Sequence, residues 1–324
     1  EHPKIIKSFG GIYQDKKLQE YVNNIGNRIT EKADISNIRW TFTILDSPIV
    51  NAFALPGGYV YVTRGLLALA NDEAELASVI GHEIAHVTAR HAAQRHAKSS
   101  LSSLGLDLLS VVVGQPIITN IASIGVQGVL SSFSRSEELE ADELGIQYIS
   151  KAKYDPEGSY RFLSRLDKLT KISSDRELNA INSIFSTHPK TIDRIKISKE
   201  NIPSNISYKN YKKKYLNVIN NMTYGDSSSQ GIVKNNQFFH LELDFSFNIP
   251  KEYKVFNNDN SIILITDNKQ EVIIFDGLDS QYGMTLIEIA ESIYKRSDIR
   301  EFKEIEINDK LAIYFDEKPI IKYE

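Results

Sequence analysis

The sequence contains no cysteine among its 324 residues. This absence excludes disulfide cross-links, a thiol nucleophile and the cysteine-type zinc sites of small metal-binding domains. Any metal site must therefore be built from histidine, aspartate or glutamate side chains. An excess of basic charge is also lacking, because the formal net charge is −4. A general nucleic-acid-binding protein would carry a strongly basic surface, so no nucleic-acid partner is expected.

Charged side chains are missing from one long stretch, 108–134, which is long enough in principle to span a bilayer. Gly114, Pro116 and Gly125 divide it into pieces that are too short to cross a membrane. The pattern therefore favours a buried or lid-like helical hairpin over a membrane-inserted one. A segment lying on a membrane surface is a third alternative, so 104–133 is also a candidate for peripheral membrane association.

The length of the chain predicts two domains, at roughly 150 residues per domain. Helical periodicity, interrupted by three short β-rich runs, dominates 1–203. The next stretch is rich in Asn, Lys, Tyr and Ser, and we interpret 204–231 as a linker. Alternating apolar residues and one helical run predict a small α+β domain over 232–324. The fold class is therefore α+β, with a mainly helical first domain that contains a small sheet.

The sharpest chemical signal is the motif His82-Glu83-Ile-Ala-His86. It lies in a helix that we expect to run from Glu73 to about His96. Two histidines four positions apart differ by roughly 40° around a helix and lie about 6 Å apart along its axis, so both project from one face. Two imidazoles in this arrangement can bind one zinc ion.

Glu83 stands beside the two histidines, where its carboxylate can take a proton from a water molecule on the metal. The alternative interpretation is a helix whose histidines merely pack or face the solvent. Two further histidines are predicted to be surface or packing residues. His91 is turned about 140° away from His86, and His96 is too far along the axis to share one site.

A catalytic zinc ion of this type needs a third protein ligand. Glu138 and Asp142 lie four positions apart, on one face of the next strong helix. Glu138 could bind the metal while Asp142 accepts a hydrogen bond from the distal nitrogen of a zinc-binding histidine. Glu137 and Glu140 are equally acidic competitors, although Glu140 is predicted to face the solvent. By itself this segment is only a charged helical face.

Taken together, these motifs resemble zinc metallopeptidase family forty-eight, the family of CAAX prenyl protease and HtpX. The matching blocks lie in the family's order between about residues 10 and 200, and they are Asn51-Ala-Phe-Ala-Leu-Pro-Gly-Gly58, His82-Glu-x-x-His86, Ser134-Arg-x-x-Glu138-x-x-Ala-Asp142 and Thr187-His188-Pro189 with Arg194-Ile195. The part after residue 205 resembles the C-terminal extension of soluble bacterial envelope members.

The resemblance implies a zincin-type (gluzincin) fold with one zinc ion per chain. It implies His82, His86 and Glu138 as the ligands, Glu83 as the general base and Asp142 in support. In this family the histidine of the His-Pro block approaches the active site, where His188 would stabilise the oxyanion or occupy the metal in a resting state. Without the resemblance, His188 simply precedes a helix that has Pro189 at its first position.

The expected activity is that of a zinc-dependent endopeptidase acting on unfolded or misassembled envelope proteins. The substrate is expected to lie extended along Asn51, Ala52 and Phe53 as an added strand. The charge-free stretch 104–133 is expected to restrict access to the cleft. The alternative is a chaperone-like assembly factor that retains the scaffold with little proteolysis. The resemblance, with Glu1 in place of an initiating Met, favours a bacterial periplasm or envelope.

Overall fold

The computed structural model describes residues 2–35, 37–94, 132–172, 184–185, 187–189, 192–202, 208–257, 261–266, 271–276, 285, 287–288, 299–307 and 310–317. Apart from Ser132 and Phe133, the expected lid at 104–133 lies outside these residues, as does His96. The contacts divide the chain into two compact units, Glu1–Phe275 and Asp276–Glu324. The domain boundaries drawn from the sequence remain a prediction.

The first unit begins with helices around a small sheet. The helices are α1 His2–Ser8, α2 Lys16–Lys32, α3 Arg64–Leu69, α4 Glu73–Thr88, α5 Arg135–Lys151, α6 Glu157–Ile172, α7 Ile192–Glu200 and α8 Lys212–Ile219. The strands are β1 Thr41–Leu45, β2 Ala52–Leu55 and β3 Tyr59–Thr63. This mixture of helices and strands confirms the predicted α+β class.

The three strands form one sheet in the order β1-β3-β2. Strand β1 runs parallel to β3, with Phe42 opposite Val60, and β2 runs antiparallel to β3, with Ala52 opposite Val62. Within the described part of the chain, β3 is the only strand that pairs with β2. Strand β2 is therefore an edge on which another extended chain could pair.

The hydrophobic core lies between α2, the sheet and α4. The stripe predicted on α2 is buried as expected, and it consists of Leu18, Tyr21, Val22, Ile25 and Ile29. Every residue of α4 from Glu73 to His86 is buried. A helix that is buried on all sides lies inside the domain rather than on its surface, so the motif on α4 is held rigidly by packing.

Helix α4 begins at Glu73, as predicted, but it ends at Thr88 rather than near His96. The Asp72 side chain caps its start by accepting a hydrogen bond from the Glu75 amide at 2.9 Å. Arg90 has a left-handed backbone with φ of 57°. A left-handed residue just after the last turn is a common way for a helix to end, and the chain then starts a new helical turn in another direction.

Helices α4 and α5 cross where two glycines face each other. A Cβ on Gly145 would lie 3.0 Å from the His82 amide nitrogen and 3.1 Å from the Gly81 carbonyl carbon. A Cβ on Gly81 would lie 2.8 Å from Ile149. Only residues without a side chain allow the two helix backbones to come this close, so the crossing brings the acidic face of α5 against the histidine motif.

The described residues of the predicted linker pack against the helical core. The Tyr215 hydroxyl on α8 donates to the Leu67 carbonyl oxygen at 2.6 Å. The buried Arg64 guanidinium donates to the carbonyl oxygens of Thr223 and Gly225 at 2.8 and 2.7 Å. These bonds hold parts of 208–231 against the helices of the first unit, whereas the linker interpretation of 204–231 stays a prediction.

The strands that follow are β4 Ile232–Lys234, β5 Gln237–His240, β6 Phe245–Asn248, β7 Tyr253–Asn257, β8 Ser261–Thr266 and β9 Val272–Asp276. They form two sheets, in the orders β4-β5-β6 and β7-β8-β9. Strands β10 Ile299–Ile307 and β11 Lys310–Glu317 pair as an antiparallel hairpin. Within the described ranges, no helix has the length and hydrophobicity that a bilayer crossing requires.

Candidate metal centre

Four buried side chains from three parts of the chain meet at one point. They are His82 and His86 from the second half of α4, Glu138 from the first turn of α5, and His188 from the segment before α7. Each offers one ligand atom, and these atoms all lie within 4.8 Å of one another. The structure therefore brings the three predicted metal ligands together and adds His188 to them.

The separations within this cluster are short. The Nε2 atoms of His82 and His86 are 3.0 Å apart, and the His82 Nε2 lies 3.3 Å from the His188 Nδ1. The Glu138 Oε1 lies 2.9 Å from the His188 Nδ1 and 3.4 Å from the His86 Nε2. Four potential ligand atoms are therefore gathered closely enough to bind one ion.

The cluster fits the zinc ion that the sequence implies. Four ligands at the usual bond lengths of about 2.0–2.1 Å are roughly 3.3 Å apart in a tetrahedron. Separations of 2.9, 3.0, 3.3 and 3.4 Å lie close to that value, and all four ligand atoms lie within 4.8 Å of one another. The donor set of three imidazoles and one carboxylate is also one that zinc accepts. The residues present can therefore hold a metal ion without rearrangement of the helices.

Protonation states within the cluster also suit metal binding. Burial lowers the pKa of His86 well below its usual value, so the ring is neutral near pH 7. Burial would raise the pKa of Glu138, but the nearby His188 and Arg194 outweigh it and hold that pKa well below the usual range. A neutral imidazole and an ionised carboxylate are the forms that bind metals.

The start of α5 selects Glu138 among its acidic neighbours. The Glu137 carboxylate accepts a hydrogen bond from the Ser134 amide at 2.8 Å and forms a capping box. Glu140 projects into the solvent, with 58% of its side chain exposed. Glu138 is fully buried and faces the histidines. The two competitors that the sequence left open are therefore not in the cluster.

Asp142 lies behind His82, as the sequence suggested. Its Oδ1 is 2.9 Å from the His82 Nδ1, on the side of the ring away from the cluster. Arg194 of α7 holds this carboxylate with two hydrogen bonds of 2.7 and 2.8 Å, and its Nη1 lies 2.5 Å from the Glu138 Oε2. Arg194 belongs to the block that resembled the family, but the sequence did not indicate this contact.

The structure corrects the prediction that His91 is turned away from the site. Its side chain is fully buried, and its Nδ1 lies 2.8 Å from the Nδ1 of His86. The prediction that it points away from the site extended the helical phase of α4 past Thr88. Because the helix ends there and Arg90 turns the chain, the 140° rotation does not apply. His91 is thus a neighbour of the cluster that sequence reasoning missed.

Glu83 lies beside the cluster rather than in it. Its Oε1 is 3.3 Å from the His188 Nε2, and its Oε2 has no hydrogen-bond partner among the described residues. Burial raises the pKa of Glu83, against the opposing effect of the two histidines near it. A buried carboxylate with one free oxygen and a raised pKa can both accept and return a proton.

Two aromatic and apolar features border the cluster. The Phe133 ring stacks on the His86 ring, with centroids 3.7 Å apart, and the Phe133 amide donates to the Thr187 carbonyl oxygen at 3.1 Å. A cavity that is partly open to solvent adjoins His82 and Glu83. Its apolar lining comes from Val79, Phe162, Leu163, Leu166 and Ile184.

The predicted substrate strand lies next to the cluster. Asn51, Ala52 and Phe53 have buried side chains, and Phe53 packs with its ring centroid 4.9 Å from that of Tyr61. The Thr187 hydroxyl donates to the Asn51 side-chain oxygen at 3.5 Å. The segment that carries His188 is therefore in direct contact with the beginning of the edge strand β2.

Comparisons with known proteins agree with this arrangement. The chain is 33% identical over 201 residues to the beta-barrel assembly-enhancing protease of Yersinia pestis, a match that covers 59% of this chain and 40% of that protein. It is 32% identical over 190 residues to the mitochondrial metalloendopeptidase OMA1 of Schizosaccharomyces pombe, covering 56% of this chain and 52% of that protein. The chain thus spans about half or less of the length of these relatives.

A model of one peptidase family matches residues 16–201 of the chain, which contain the whole cluster. The matched segment is more than half of the chain and begins and ends close to where the resemblance placed it. Zinc is the metal that this family uses, and the cluster can hold such an ion. The match confirms the resemblance: the chain belongs to peptidase family M48, a family of zinc metallopeptidases.

Proposed function

We propose that this protein is a zinc-dependent endopeptidase of the gluzincin type, in which His82, His86 and Glu138 hold the metal. The observation that carries this proposal is the convergence of buried ligand atoms beside the buried carboxylate of Glu83. A site that only stabilised the fold would have no use for an unpartnered carboxylate oxygen at this position, because burying such a group costs free energy.

Glu83 is the general base in this proposal. When bound, zinc supplies Lewis-acid chemistry, which polarises the scissile carbonyl and lowers the pKa of a water molecule to about 7. The free Oε2 of Glu83 accepts the proton of the attacking water. Its raised pKa makes this carboxylate a stronger base for that step, and the protonated carboxyl then delivers the proton to the nitrogen of the leaving amine.

His82 is held in the correct orientation by Asp142. With Nε2 directed at the metal, the ring proton of His82 would lie on Nδ1, which is 2.9 Å from the Asp142 Oδ1 and so faces an ionised carboxylate. Arg194 keeps this carboxylate ionised, because its guanidinium outweighs burial and lowers the pKa of Asp142. Asp142 and Arg194 thus fix the His82 ring without adding a further charged ligand to the metal.

His188 would take the fourth ligand position in this proposal. Its Nδ1 is 2.9 Å from Glu138 and 3.3 Å from His82, and these distances support a resting-state role on the metal over a role at an oxyanion. A substrate carbonyl would need the same position. We therefore propose that His188 moves aside when substrate binds.

The edge strand and the cavity would bind the substrate. An extended polypeptide can pair with β2 near Asn51, Ala52 and Phe53, which reads mainly the backbone. The adjoining cavity would accept an apolar side chain next to the scissile bond, because its wall is made by Val79 and Leu163 among others. The preferred substrates are then unfolded polypeptides in which apolar side chains are accessible.

The bacterial relatives support a role in the cell envelope. Their name describes a protease that enhances β-barrel assembly. We propose that this protein likewise acts on misassembled proteins of a bacterial envelope or periplasm, as a quality-control protease. The site that carries the proposed hydrolysis lies entirely within residues 16–201, the part that matches the peptidase family.

The experiment compares wild-type protein with Glu83→Gln on a panel of unfolded proteins, with zinc content measured by elemental analysis. We expect about one zinc ion per chain in both, and hydrolysis slower by about 10²–10⁴-fold in the variant. Glu143→Gln removes the same charge from the exposed face of α5 and should cleave like wild type. Equal cleavage by wild type and Glu83→Gln would refute the peptidase proposal and favour a chaperone-like assembly factor.

A further inference from the structure

His91 lies outside the four-residue cluster and contacts one of its members, His86. Its Nδ1 lies 2.8 Å from the Nδ1 of His86, and its Nε2 lies 3.3 Å from the Oε2 of Glu140. The His91 side chain has no exposed surface, whereas Glu140 is mostly in the solvent. A buried imidazole is thus placed between a cluster residue and a surface carboxylate.

The positions of the protons on His86 and His91 follow from the geometry. The Nε2 of His86 faces the cluster, so its Nδ1 must carry the ring proton when Nε2 binds a metal. Two nitrogens 2.8 Å apart cannot both carry a proton on the line between them. The His91 Nδ1 is therefore the acceptor, and the His91 proton lies on Nε2, where it can be donated to Glu140.

We propose that His91 is a positioning residue for the metal centre, which orients His86 by accepting its Nδ1–H and is itself oriented by Glu140. The inference rests on the proposed zinc site. It assigns His86 a neutral partner, whereas His82 has the ionised Asp142 behind it. Outer partners of metal-binding histidines fix both the tautomer and the direction of the ring.

The backbone around His91 is built to place it there. Arg90 adopts φ of 57°, a left-handed conformation that costs about 1 kcal/mol or more in a residue other than glycine. Its side chain is exposed, so no contact in the protein interior requires this residue to be an arginine. The Phe133 ring stacks on a face of the His86 ring with the centroids 3.7 Å apart, while His91 contacts the Nδ1 edge of that ring. Phe133 restricts the tilt of the ring, and His91 restricts its rotation.

The test compares His91→Leu with His91→Asn in the full-length protein. Leucine fills a similar volume but accepts no hydrogen bond, whereas the Oδ1 of asparagine can occupy the position of the histidine Nδ1. We expect His91→Leu to weaken zinc binding by about 10–100-fold, measured by competition with a chromophoric chelator. His91→Asn should recover most of this loss, and Glu140→Gln should show a smaller one.

Two controls separate this role from general destabilisation. Glu143→Gln changes the charge of α5 on an exposed position away from His91 and should bind zinc like wild type. Thermal unfolding of the metal-free proteins reports the packing role of position 91. If His91→Leu does not fold, the zinc affinities of Glu140→Gln and Glu143→Gln still test whether Glu140 supports the metal centre.

Three outcomes would overturn the inference. They are unchanged zinc affinity in His91→Leu, an equal loss in the leucine and asparagine variants, or equal behaviour of the two glutamine variants. In the zinc-loaded wild type, nitrogen-15 spectra of the imidazoles should show the Nε2–H tautomer for His91, and the Nδ1–H tautomer would also overturn it. Failure of wild-type protein to bind zinc would instead refute the proposed metal site itself.

Discussion

Gly81 and Gly145 face each other at the crossing of the two helices that carry the metal centre, with no side chain between their backbones. His82 follows Gly81 directly, and Glu138 lies two helical turns before Gly145. The closeness of the two glycines therefore sets how near the carboxylate of one helix comes to the imidazoles of the other. The distances of 3.6 and 3.4 Å from Glu138 to His82 and to His86 depend on this contact.

Replacement of Gly145 by alanine should disturb the centre. Its Cβ would press on backbone atoms of Gly81 and His82, which cannot move independently of α4. Overpacking costs about 1–3 kcal/mol, which exceeds the gain of about 1 kcal/mol in helix propensity. We expect lower stability in urea unfolding and weaker zinc binding. Gln147→Ala, at an exposed position of the same helix, should change neither, and a Gly145→Ala variant as stable as wild type would contradict this account.

Arg194→Met should destabilise the metal-free protein in a pH-dependent way. Loss of one partner of a buried ion pair costs about 3–5 kcal/mol. The folded pKa values of Asp142 and Glu138 are depressed, so their stabilisation is present above their usual pKa of about 4 and is lost as the pH falls. The wild-type advantage in unfolding free energy should therefore be largest at neutral pH and shrink below about pH 4.

The control for this measurement is Arg135→Met. Arg135 forms an ion pair with Asp193 at the surface, where both side chains are largely exposed. Exposed pairs contribute about 0–1 kcal/mol. Urea titrations of all three proteins at several pH values, in the presence of a chelator, give the comparison. A loss in Arg194→Met that is small or independent of pH would be inconsistent with the ion-pair network described here.

His188→Ala should separate the two roles of this histidine. If His188 is a resting-state ligand, the variant should bind zinc more weakly, because one of four ligand atoms is gone, and at saturating zinc it should cleave unfolded protein at least as fast as wild type. A fall in kcat of about 10²–10³-fold, with KM unchanged, would instead assign it to transition-state stabilisation. Both kcat and KM come from steady-state kinetics at controlled free zinc concentrations.

Leu163→Trp should narrow the cavity beside Glu83. Leu163 is only partly buried on α6, so the larger ring can enter the cavity without breaking the core. We expect kcat/KM to fall by about 10–200-fold for peptides with a large apolar residue after the scissile bond, and much less for peptides with alanine there. Lys168→Trp, on the exposed face of α6, should leave kcat/KM unchanged for both kinds of peptide. An equal effect on both peptides would show that the cavity does not select the side chain.

Local geometry explains which parts of this protein were predictable. The spacing of His82 and His86 places both on one face of any α-helix, and the capping box at Ser134 sets where α5 begins. Glu138 and Asp142 then share a face for the same reason. These inferences need only the helix period, so the sequence supports them without knowledge of the fold.

The family resemblance brought in His188, whose own neighbours in the sequence indicate only the start of a helix. The choice of Glu138 over Glu137 and Glu140 could not be made from charge, because all three are carboxylates. Which of them faces the histidines depends on where α5 crosses α4.

By itself, the sequence determined the α+β class, the absence of thiol chemistry and the placement of His82 and His86 on one face of a helix, since composition and helical spacing act over a few residues. Tertiary structure decided that α4 stops at Thr88, that His91 therefore returns to His86, and that Arg194 reaches across to Asp142. The physical reason is that contacts between distant segments depend on how closely helices pack, and here two glycines set that distance.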